Sequence, residues 1–536
     1  MQSWLKSRRS YSSLQYDDNF KDKPKYSLPS NNMNRICGRL PIILNIVILT
    51  LIIGIIITTI NIYELHRMQK EHYSLHHNLP VANVKTETFQ CTKPIAWIHG
   101  RNLESGYLKH VFIVFERLGY EINNSSSDWD VLWAHDYPFS ELSSTMLHLK
   151  HYQKVNHFPG SGYVTNKVSL ATSNLKHIPA AFQIPDDKEK FLQYAKSNMQ
   201  KMWVQKSNNH RGIIVNKVGN LDLESEGTFV QEYISNPYLI DGRKFDIGVY
   251  TILTSINPLR VYVYSGDVLL RFCSKDYYPF SAANLDSYVV GDDYTPIWKI
   301  PSLHKYYVNL GHSMKESLNA HIRSQGKDSE KIWSQIYEAI RTVYYEKEND
   351  LIHSGAKYQS LRNFFEMVRF DFLLDENLNA FLMEANMSPN LSSAHFSQNR
   401  LLYEQVIYNL LSVVGLTRII NPSYIKSRSE NEKDMQVSSA DIYVFSDLCA
   451  SKSCQETCSS YICRLCKRCL SIEEEQIFKD AYLEHVNRKS CLRILPPQTT
   501  QNILNVNKEF EHLNERNQLM AYWFKGKCLN DITWCS

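Results

Sequence analysis

Oxygen-bearing side chains recur on one face of residues 368–390, V-R-F-D-F-L-L-D-E-N-L-N-A-F-L-M-E-A-N-M-S-P-N. Two apolar runs flank a turn-rich middle, which predicts a β-hairpin in which Glu384 and Asn386, two positions apart, share a face. A four-residue loop at residues 376–379 sets Asp371 opposite Glu384, whereas a five-residue loop would turn Glu384 to the other face; we predict the shorter loop. Two carboxylates and an amide oxygen would then converge as ligands for Mg²⁺, whose shell a substrate phosphate completes. The alternative is an amphipathic hairpin with ordinary surface acids.

A lysine stands at the end of a predicted strand in residues 202–213, M-W-V-Q-K-S-N-N-H-R-G-I. Lys206 at a strand end, beside a polar loop of backbone amides, is suited to hold nucleotide phosphates. The segment is neither a Walker loop nor a G-x-G-x-x-G element, and the alternative is a surface lysine.

Residues 228–250, T-F-V-Q-E-Y-I-S-N-P-Y-L-I-D-G-R-K-F-D-I-G-V-Y, read as two strands joined by a turn. Backbone groups of residues 231–234 could contact an adenine edge, while Lys244 and Asp246, on one face of the second strand, could address phosphate or ribose. The alternative is a structural ion pair on an exposed sheet face. Arg271, in L-L-R-F-C-S, adds a cation suited to bidentate hydrogen bonds with a carboxylate.

The elements that must position these side chains follow from hydrophobic periodicity. Helices are predicted at residues 186–201, 328–345 and 401–414, and strands at 131–134, 202–206, 228–234, 245–255, 259–265 and 268–273. One apolar face of the second helix contains Ile332, Ile336, Ile340 and Val343. Strand runs with helices between them predict a multi-lobed α+β domain.

Several motifs in this order resemble the tubulin tyrosine ligase-like family. They are F-V-Q-E-Y-I, D-G-R-K-F-D, L-R-F, and R-F-D-F-L-L-D-E-N with L-M-E-A-N-M-S-P-N-L. Upstream, W-D-V-L-W and Q-K-V-N-H-F-P-G followed by V-T-N-K are similar to the family's N-terminal portion. The resemblance covers residues 95–416.

This resemblance implies an ATP-grasp fold, in which ATP lies between two sheet-containing lobes, and an ATP-dependent ligase reaction. A substrate carboxylate takes the γ-phosphoryl group to give an acyl phosphate, and the amine of an incoming amino acid displaces phosphate. Lysines hold the phosphates in line, and Mg²⁺ neutralises charge that would repel the carboxylate.

Carried over position by position, the resemblance also assigns roles to single residues. Asp371, Glu384 and Asn386 are the predicted Mg²⁺ ligands. The predicted catalytic residues are Lys244 and Arg271, with Arg271 binding the carboxylate of the amino acid. The predicted ATP-binding residues are Lys206, Gln231, Glu232, Tyr233, Ile234, Lys244 and Asp246.

The chain departs from the family at several positions. Members usually carry arginine or a similar polar residue after K-F-D-[IL], where Gly248 stands here. The loop after Lys206 is shorter and poorer in glycine than usual, and the L-T-N segment is not recognisable in residues 288–305. A substrate-binding lysine after S-P-N-L is missing, with Arg400 only a loose substitute. These differences concern amino-acid selection and turnover more than ATP binding.

The whole composition excludes one class of partner. The 536 residues, 43% hydrophobic, suffice for two to four domains. Lys plus Arg total 59 against 55 for Asp plus Glu, and a net charge of +4 is too small to imply nucleic acid.

An uncharged apolar run at residues 42–60 is long enough, at 19 residues, to cross a bilayer as a helix. Its distance from the N-terminus and the lack of a small-residue cleavage site favour a retained signal anchor. Eight Lys and Arg precede the run, against Arg67 and Lys70 just after it, which predicts a cytosolic N-terminus and a lumenal or extracellular catalytic domain. Sequons compatible with that side, and so with a glycoprotein, begin at Asn123, Asn124, Asn386 and Asn390.

Nine of the twelve cysteines lie between Cys449 and Cys535 and indicate a separate C-terminal module. C-R-L-C-K-R-C contains two overlapping C-x-x-C spacings, which suit zinc in a cytosolic protein, whereas disulfides are favoured in an oxidising compartment. Setting aside Cys273 as a strand-core thiol leaves an even ten after the apolar run, which favours disulfides.

The predicted order is a basic tail (1–40), a transmembrane helix (41–62), a stalk (63–94), an N-terminal α/β lobe (95–185), an ATP-grasp domain (186–420), a linker (421–440) and the Cys-rich module (441–536). The leading hypothesis is a membrane-anchored ligase that adds glutamate to acidic tails of tubulin or another protein, as tubulin polyglutamylases do; a glycylase stays open. The alternative is a non-catalytic ATP-binding or scaffold domain displayed on the lumenal or extracellular side. A protein kinase is disfavoured because the sequence has no H-R-D or D-F-G element.

Overall fold

The computed structural model of the protein describes residues 40–77, 93–125, 128–207, 213–291, 293–417, 436–501 and 510–536. The chain forms two compact units, Met1–Gln90 and Cys91–Ser536.

The first unit contains helix α1 (Leu40–His77). Its stretch Leu51–Met68 is the single one in the described part of the chain that is long and apolar enough to cross a membrane, and none of it is buried in the protein. The prediction of one apolar helix near the N-terminus is thereby confirmed, although the helix continues into the predicted stalk. The predicted tail, apart from Leu40, and residues 78–92 of the stalk lie outside the described residues.

The second unit begins with a four-stranded parallel sheet in the order β2-β1-β3-β4. Its strands are β1 (Ile95–His99), β2 (Glu121–Asn123), β3 (Val131–Ala134) and β4 (Lys154–Val155). Parallel strands need a crossover, and helix α2 (Lys109–Arg117) supplies the one between β1 and β2. Short helices follow: α3 (Pro138–Glu141), α4 (Ser143–Leu147), α5 (Gly162–Thr165) and α6 (Lys167–Ala171).

A second, antiparallel sheet has the order β5-β8-β6-β7. Its strands are β5 (Ala181–Ile184), β6 (Trp203–Ser207), β7 (Ile214–Asn216) and β8 (Thr228–Glu232). Helix α7 (Lys188–Lys196) packs on it through Phe191, whose ring lies 4.8 Å from that of Trp203. The helix is shorter than the predicted residues 186–201, and its buried residues are Phe191 and Ala195.

The third sheet has seven strands and holds the main core. Its strands are β9 (Phe245–Ile256), β10 (Leu259–Tyr264), β11 (Leu269–Phe272), β12 (Thr295–Pro296), β13 (Glu366–Leu374), β14 (Ala380–Asn386) and β15 (Cys491–Leu495). The long strand β9 pairs with β11 and β10 on one side and with β13 on the other.

Helices flank this sheet. They are α8 (Pro301–His304), α9 (Met314–Ser324), α10 (Glu330–Gly355) and α11 (Arg400–Val413). The predicted apolar face of α10 is buried, from Ile332 to Val343, as helical spacing requires. The mixed composition of helices and sheets confirms the predicted α+β class.

Strands β13 and β14 form the predicted hairpin, but its loop is longer than predicted. The strands end at Leu374 and restart at Ala380, which leaves five connecting residues rather than four. The pairing shifts by one position between Asp371 and Phe372, as in a β-bulge. The four-residue loop was therefore wrong, yet Asp371 does lie opposite Glu384, because the bulge offsets the extra residue.

The Cys-rich region is held by disulfides. They join Cys449 to Cys466, Cys454 to Cys463, Cys458 to Cys469 and Cys528 to Cys535. The disulfide alternative is confirmed, but the even count behind it was not a sound reason, because Cys491 is a buried free thiol like Cys273. Cys91 lies outside the described residues.

Part of this region joins the third sheet. Strand β15 pairs antiparallel with β10. The described residues of this region also form helices α12 (Ser439–Ile442), α13 (Ser446–Cys449), α14 (Lys452–Glu456), α15 (Tyr461–Arg464), α16 (Ile472–Val486) and α17 (Glu515–Asn530). On β10, Arg260 donates two hydrogen bonds to Glu484 of α16, at 2.8 and 3.0 Å, and both side chains are buried. A charged contact away from water thus ties the region to the sheet.

Candidate active site

A row of charged side chains crosses one face of the third sheet along the neighbouring strands β11, β9, β13 and β14. The strand register sets Arg271 opposite Asp246, and Asp371 opposite both Gly248 and Glu384. Because side chains two positions apart point the same way, residues on four strands converge on this face.

Asp371 is the centre of the row. The Nε and Nη2 groups of Arg369 donate to its two oxygens at 2.7 and 2.8 Å. Nη2 of Arg271 and Nδ2 of Asn386 donate to Oδ2 at 3.0 and 3.1 Å. The Asp371 side chain is only 3% exposed, so these bonds form away from water, where charge-assisted hydrogen bonds are strong.

Arg271 is held by a second carboxylate. Its Nε and Nη2 groups donate to Asp246 at 2.9 and 2.7 Å. Burial raises the pKa of Asp246 to about 6, with the Arg271 charge opposing the rise and the Asp371 charge adding to it. Burial by itself would lower the pKa of Arg271, but the two carboxylates outweigh burial and shift it upward.

Glu384 lies at the open end of the row, where its side chain is 33% exposed. Nζ of Lys167 is 3.4 Å from one carboxylate oxygen, and Nδ2 of Asn386 donates to the other at 3.3 Å. Burial favours the neutral acid, but Lys167, Asn386 and Arg369 outweigh it and lower the pKa of Glu384 to about 2. The carboxylate is therefore ionised at neutral pH and accessible to a cation.

A cavity of about 520 Å³, hereafter the main cavity, lies against this row. Its charged lining residues are Lys167, Lys206, Glu232, Lys244, Asp246, Arg271, Asp371 and Glu384. Nζ of Lys206 donates to Oε1 of Gln231 at 3.0 Å, and burial lowers the pKa of Lys206 to about 8, with Glu384 opposing. Nζ of Lys244 donates to the carbonyl of Tyr288 at 3.0 Å, and burial lowers its pKa as well.

Residues 231–234, the predicted adenine-contacting segment, lie beside the main cavity, and the side chains of residues 231–233 already contact other protein groups. Gln231 is fully buried beneath Lys206 and does not line the main cavity. Glu232 pairs with Lys201 at 2.7 Å, and the Tyr233 hydroxyl hydrogen-bonds that of Tyr277 at 3.0 Å. Glu232, Tyr233 and Ile234 line the main cavity.

A second cavity of about 320 Å³ adjoins the main cavity and shares Arg271 and Gly291 with it. Arg369, Asn386 and Ser388 contribute to its lining. Neither Lys206 nor Lys244 is among its lining residues.

Two cations of the row were missed by the sequence reasoning. Arg369 lies two positions before Asp371, so strand alternation alone could have placed both on one face. Lys167 belongs to the V-T-N-K motif, 217 positions before Glu384, and local sequence gives no signal for that contact.

The donor set fits Mg²⁺ in one specific way. No cluster of three or more His, Cys, Asp or Glu suited to a metal occurs among the described residues. Asp371, Glu384 and Asn386 offer two carboxylates and one amide beside an open cavity, so an ion there would complete its shell with phosphate or water oxygens, as Mg²⁺ commonly does. A cavity of about 520 Å³ with the half-buried Lys206 and Lys244 in its lining has the size and charge that a nucleoside triphosphate requires.

The fold and site define an α+β protein whose central sheet presents an acidic, arginine-bound face to a lysine-lined cavity. Residues 145–422 match the profile of the tubulin-tyrosine ligase family. The chain is 42% identical over 457 residues to the probable tubulin polyglutamylase ttll-15 of Caenorhabditis elegans, covering 83% of this chain and 87% of the relative.

More distant relatives are similar over a shorter part of the chain. The tubulin polyglutamylase ttll6 of Danio rerio is 29% identical over 60% of this chain and 42% of its own length. The human tubulin monoglutamylase TTLL4 is 28% identical over 56% of this chain and 26% of its own length. The chain belongs to the tubulin-tyrosine ligase family.

Proposed function

We propose that the protein is an ATP-dependent ligase of the ATP-grasp type that joins glutamate to acidic side chains of a protein tail, with tubulin as the first candidate acceptor. The observation that carries this proposal is that Asp371 and Glu384 line one cavity with Lys206 and Lys244, while the side chain of Asn386 donates to both carboxylates. The names of the relatives, which describe tubulin glutamylation, support glutamate and tubulin.

The residues of the row would divide the work. Bound ATP and Mg²⁺ would supply the phosphoryl group that activates a carboxylate and the positive charge that screens it. Lys206 and Lys244 would hold the phosphates, and Asp371, Glu384 and Asn386 would hold the ion. Because the Asp371 carboxylate is fixed from two sides by arginines, its geometry would be set before substrate arrives.

Incorporation of labelled glutamate tests this function. The purified full chain, with ATP, Mg²⁺ and tubulin, should label tubulin, and Glu384→Gln should abolish labelling because the ionised ligand is lost. Glu104→Gln, at an exposed position of a surface turn, is the matched control and should retain activity. Absence of incorporation with any amino acid would refute the ligase.

For localisation, we propose that α1 anchors the chain in a membrane with its N-terminus in the cytosol. The resulting lumenal or extracellular domain is supported by the disulfides, which persist in oxidising compartments. The relatives are named for tubulin, which is cytosolic, and this argues against a lumenal or extracellular catalytic domain. The disulfides also favour the second candidate function, a non-catalytic nucleotide-binding member displayed on that side.

Glycosidase treatment of the full chain made in animal cells separates the two orientations. Asn123 and Asn124 are exposed, so a lumenal domain should carry glycan there and shift in mobility on digestion. Replacing both by Gln should remove the shift. A chain that never carries glycan and whose cysteines are reduced in cells would place the domain in the cytosol.

A further inference from the structure

The second cavity is built to take an anion. Its lining includes two guanidinium groups, those of Arg271 and Arg369, together with Ser388 and Asn390, and none of its lining residues in the described part of the chain is Asp or Glu. Guanidinium groups recognise carboxylates through paired hydrogen bonds. A volume of about 320 Å³ admits a small organic acid but cannot hold a nucleotide in addition to it.

Arg369 is fixed before any ligand arrives. Its Nε and Nη2 groups bind Asp371, which leaves the Nη1 group for the cavity. The side chain is 7% exposed, and the bidentate contact holds its orientation. A preorganised group loses little conformational entropy when a carboxylate binds.

Gly248 and Arg369 share one space. A Cβ atom on residue 248 would lie 2.9 Å from Cδ of Arg369, 3.3 Å from its Nε and 3.2 Å from Oδ1 of Asp371. Arg369 cannot swing aside without breaking its buried contact with Asp371. The glycine on β9 therefore gives room to a guanidinium that comes from β13.

Arg271, which the sequence assigns to the substrate carboxylate, is less free to serve. Its Nε and Nη2 groups donate to two carboxylates, those of Asp246 and Asp371, whereas the same two groups of Arg369 donate to Asp371 alone. Arg271 lines both cavities, and its contacts with Asp246 and Asp371 suit it to hold these two carboxylates in position.

We propose that the second cavity binds the amino-acid substrate and that Arg369 holds its carboxylate, in the space that Gly248 leaves open. This inference rests on the proposed ligase function. It also accounts for the glycine where the family resemblance leads one to expect a polar side chain: the charge is supplied from the neighbouring strand.

Four variants of the full chain test the assignment: Arg369→Gly, Arg369→Lys, Gly248→Arg, and the exchange Gly248→Arg/Arg369→Gly. Arg468→Gly, at an exposed turn, is the control. The readouts are the KM for glutamate, the KM for ATP, and calorimetric binding of L-glutamate in the presence of Mg²⁺ and a non-hydrolysable ATP analogue. Thermal unfolding checks that each variant is folded.

Arg369→Gly should raise the KM and Kd for glutamate roughly tenfold to hundredfold, and should raise the KM for ATP by a smaller factor, because Arg271 still holds Asp371. The KM and Kd for glutamate of Arg369→Lys should lie between those of wild type and Arg369→Gly, because lysine keeps the charge but lacks the planar guanidinium. Gly248→Arg should also weaken glutamate binding, because the side chains of residues 248 and 369 would compete for one space. The exchange variant should recover at least about tenfold of the loss, because it returns a guanidinium to that space from β9.

An Arg369→Gly protein that binds glutamate within about twofold of wild type would overturn the assignment while leaving the ligase intact. An exchange variant that is folded but no better than Arg369→Gly would overturn the shared-space argument. If the wild-type protein binds ATP but neither binds nor incorporates any amino acid, the ligase function itself fails, and this inference fails with it.

Discussion

Replacing Asp371 by Asn should separate the structural role of the charged row from its role in binding a metal. The substitution keeps the shape of the side chain but removes the charge that Arg369 and Arg271 share. Arg271 keeps Asp246 as a partner, whereas Arg369 loses the carboxylate that binds it twice.

The expected loss of unfolding free energy depends on how deeply each side chain is buried. Asp371 and Arg369 are 3% and 7% exposed, and breaking such a buried pair from one side costs about 3–5 kcal/mol, because the remaining charge is left unpaired. Glu384 is 33% exposed and has one cation at 3.4 Å, so Glu384→Gln should cost about 1 kcal/mol or less. Both variants should lose Mg²⁺-dependent ATP binding.

Urea unfolding of the full chain, followed by tryptophan fluorescence, and calorimetric ATP titration with and without Mg²⁺ measure the two effects. The double variant Arg369→Met/Asp371→Asn should recover most of the lost stability, because no buried guanidinium is then left without a partner, but it should not recover metal-dependent binding. Asp371→Asn as stable as wild type, or Glu384→Gln equally destabilised, would refute this account of the row.

Three further outcomes follow from the same contacts. Burial lowers the pKa of Lys206 to about 8 and bound phosphate favours the charged lysine, so the Kd for ATP should rise up to about tenfold per pH unit above pH 8; Lys206→Arg should reduce this rise in a calorimetric pH series, and Lys244, whose pKa is also lowered, should account for what is left. Glu484→Gln should lower the free energy of unfolding by about 3–5 kcal/mol, because Arg260 stays buried and unpaired, and an unchanged urea midpoint would contradict this. Gly160→Ala should cost about 1–3 kcal/mol in the same assay, because its φ is +83° and a Cβ would lie 2.7 Å from Ser354; wild-type stability would count against it.

Much of the sheet that carries the site was predictable from local pattern. Apolar runs fixed β9 and β13 to within about one or two residues, and the period of two in a strand placed Glu384 beside Asn386. The order of short motifs identified the family before any pairing of strands was known, because those motifs contain the residues that the site brings together. Their roles toward ATP, Mg²⁺ and amino acid remain predictions.

Other features depended on contacts between distant parts of the chain. The hairpin register was right for an incomplete reason, since a bulge compensated a longer loop, and a bulge has no clear signature in the sequence. The cysteine count indicated disulfides but neither their partners nor the thiol of Cys491, because pairing depends on the approach of Cα atoms in the fold.

The sequence by itself determined which residues alternate onto one face of each strand and which family the chain resembles, because both depend on spacing along a single segment. The tertiary structure alone decided that Lys167 reaches Glu384, that β15 joins the central sheet, and that Arg369 occupies the space above Gly248. In each of those cases the partners are far apart in sequence, and only the packing of strands and loops brings them together.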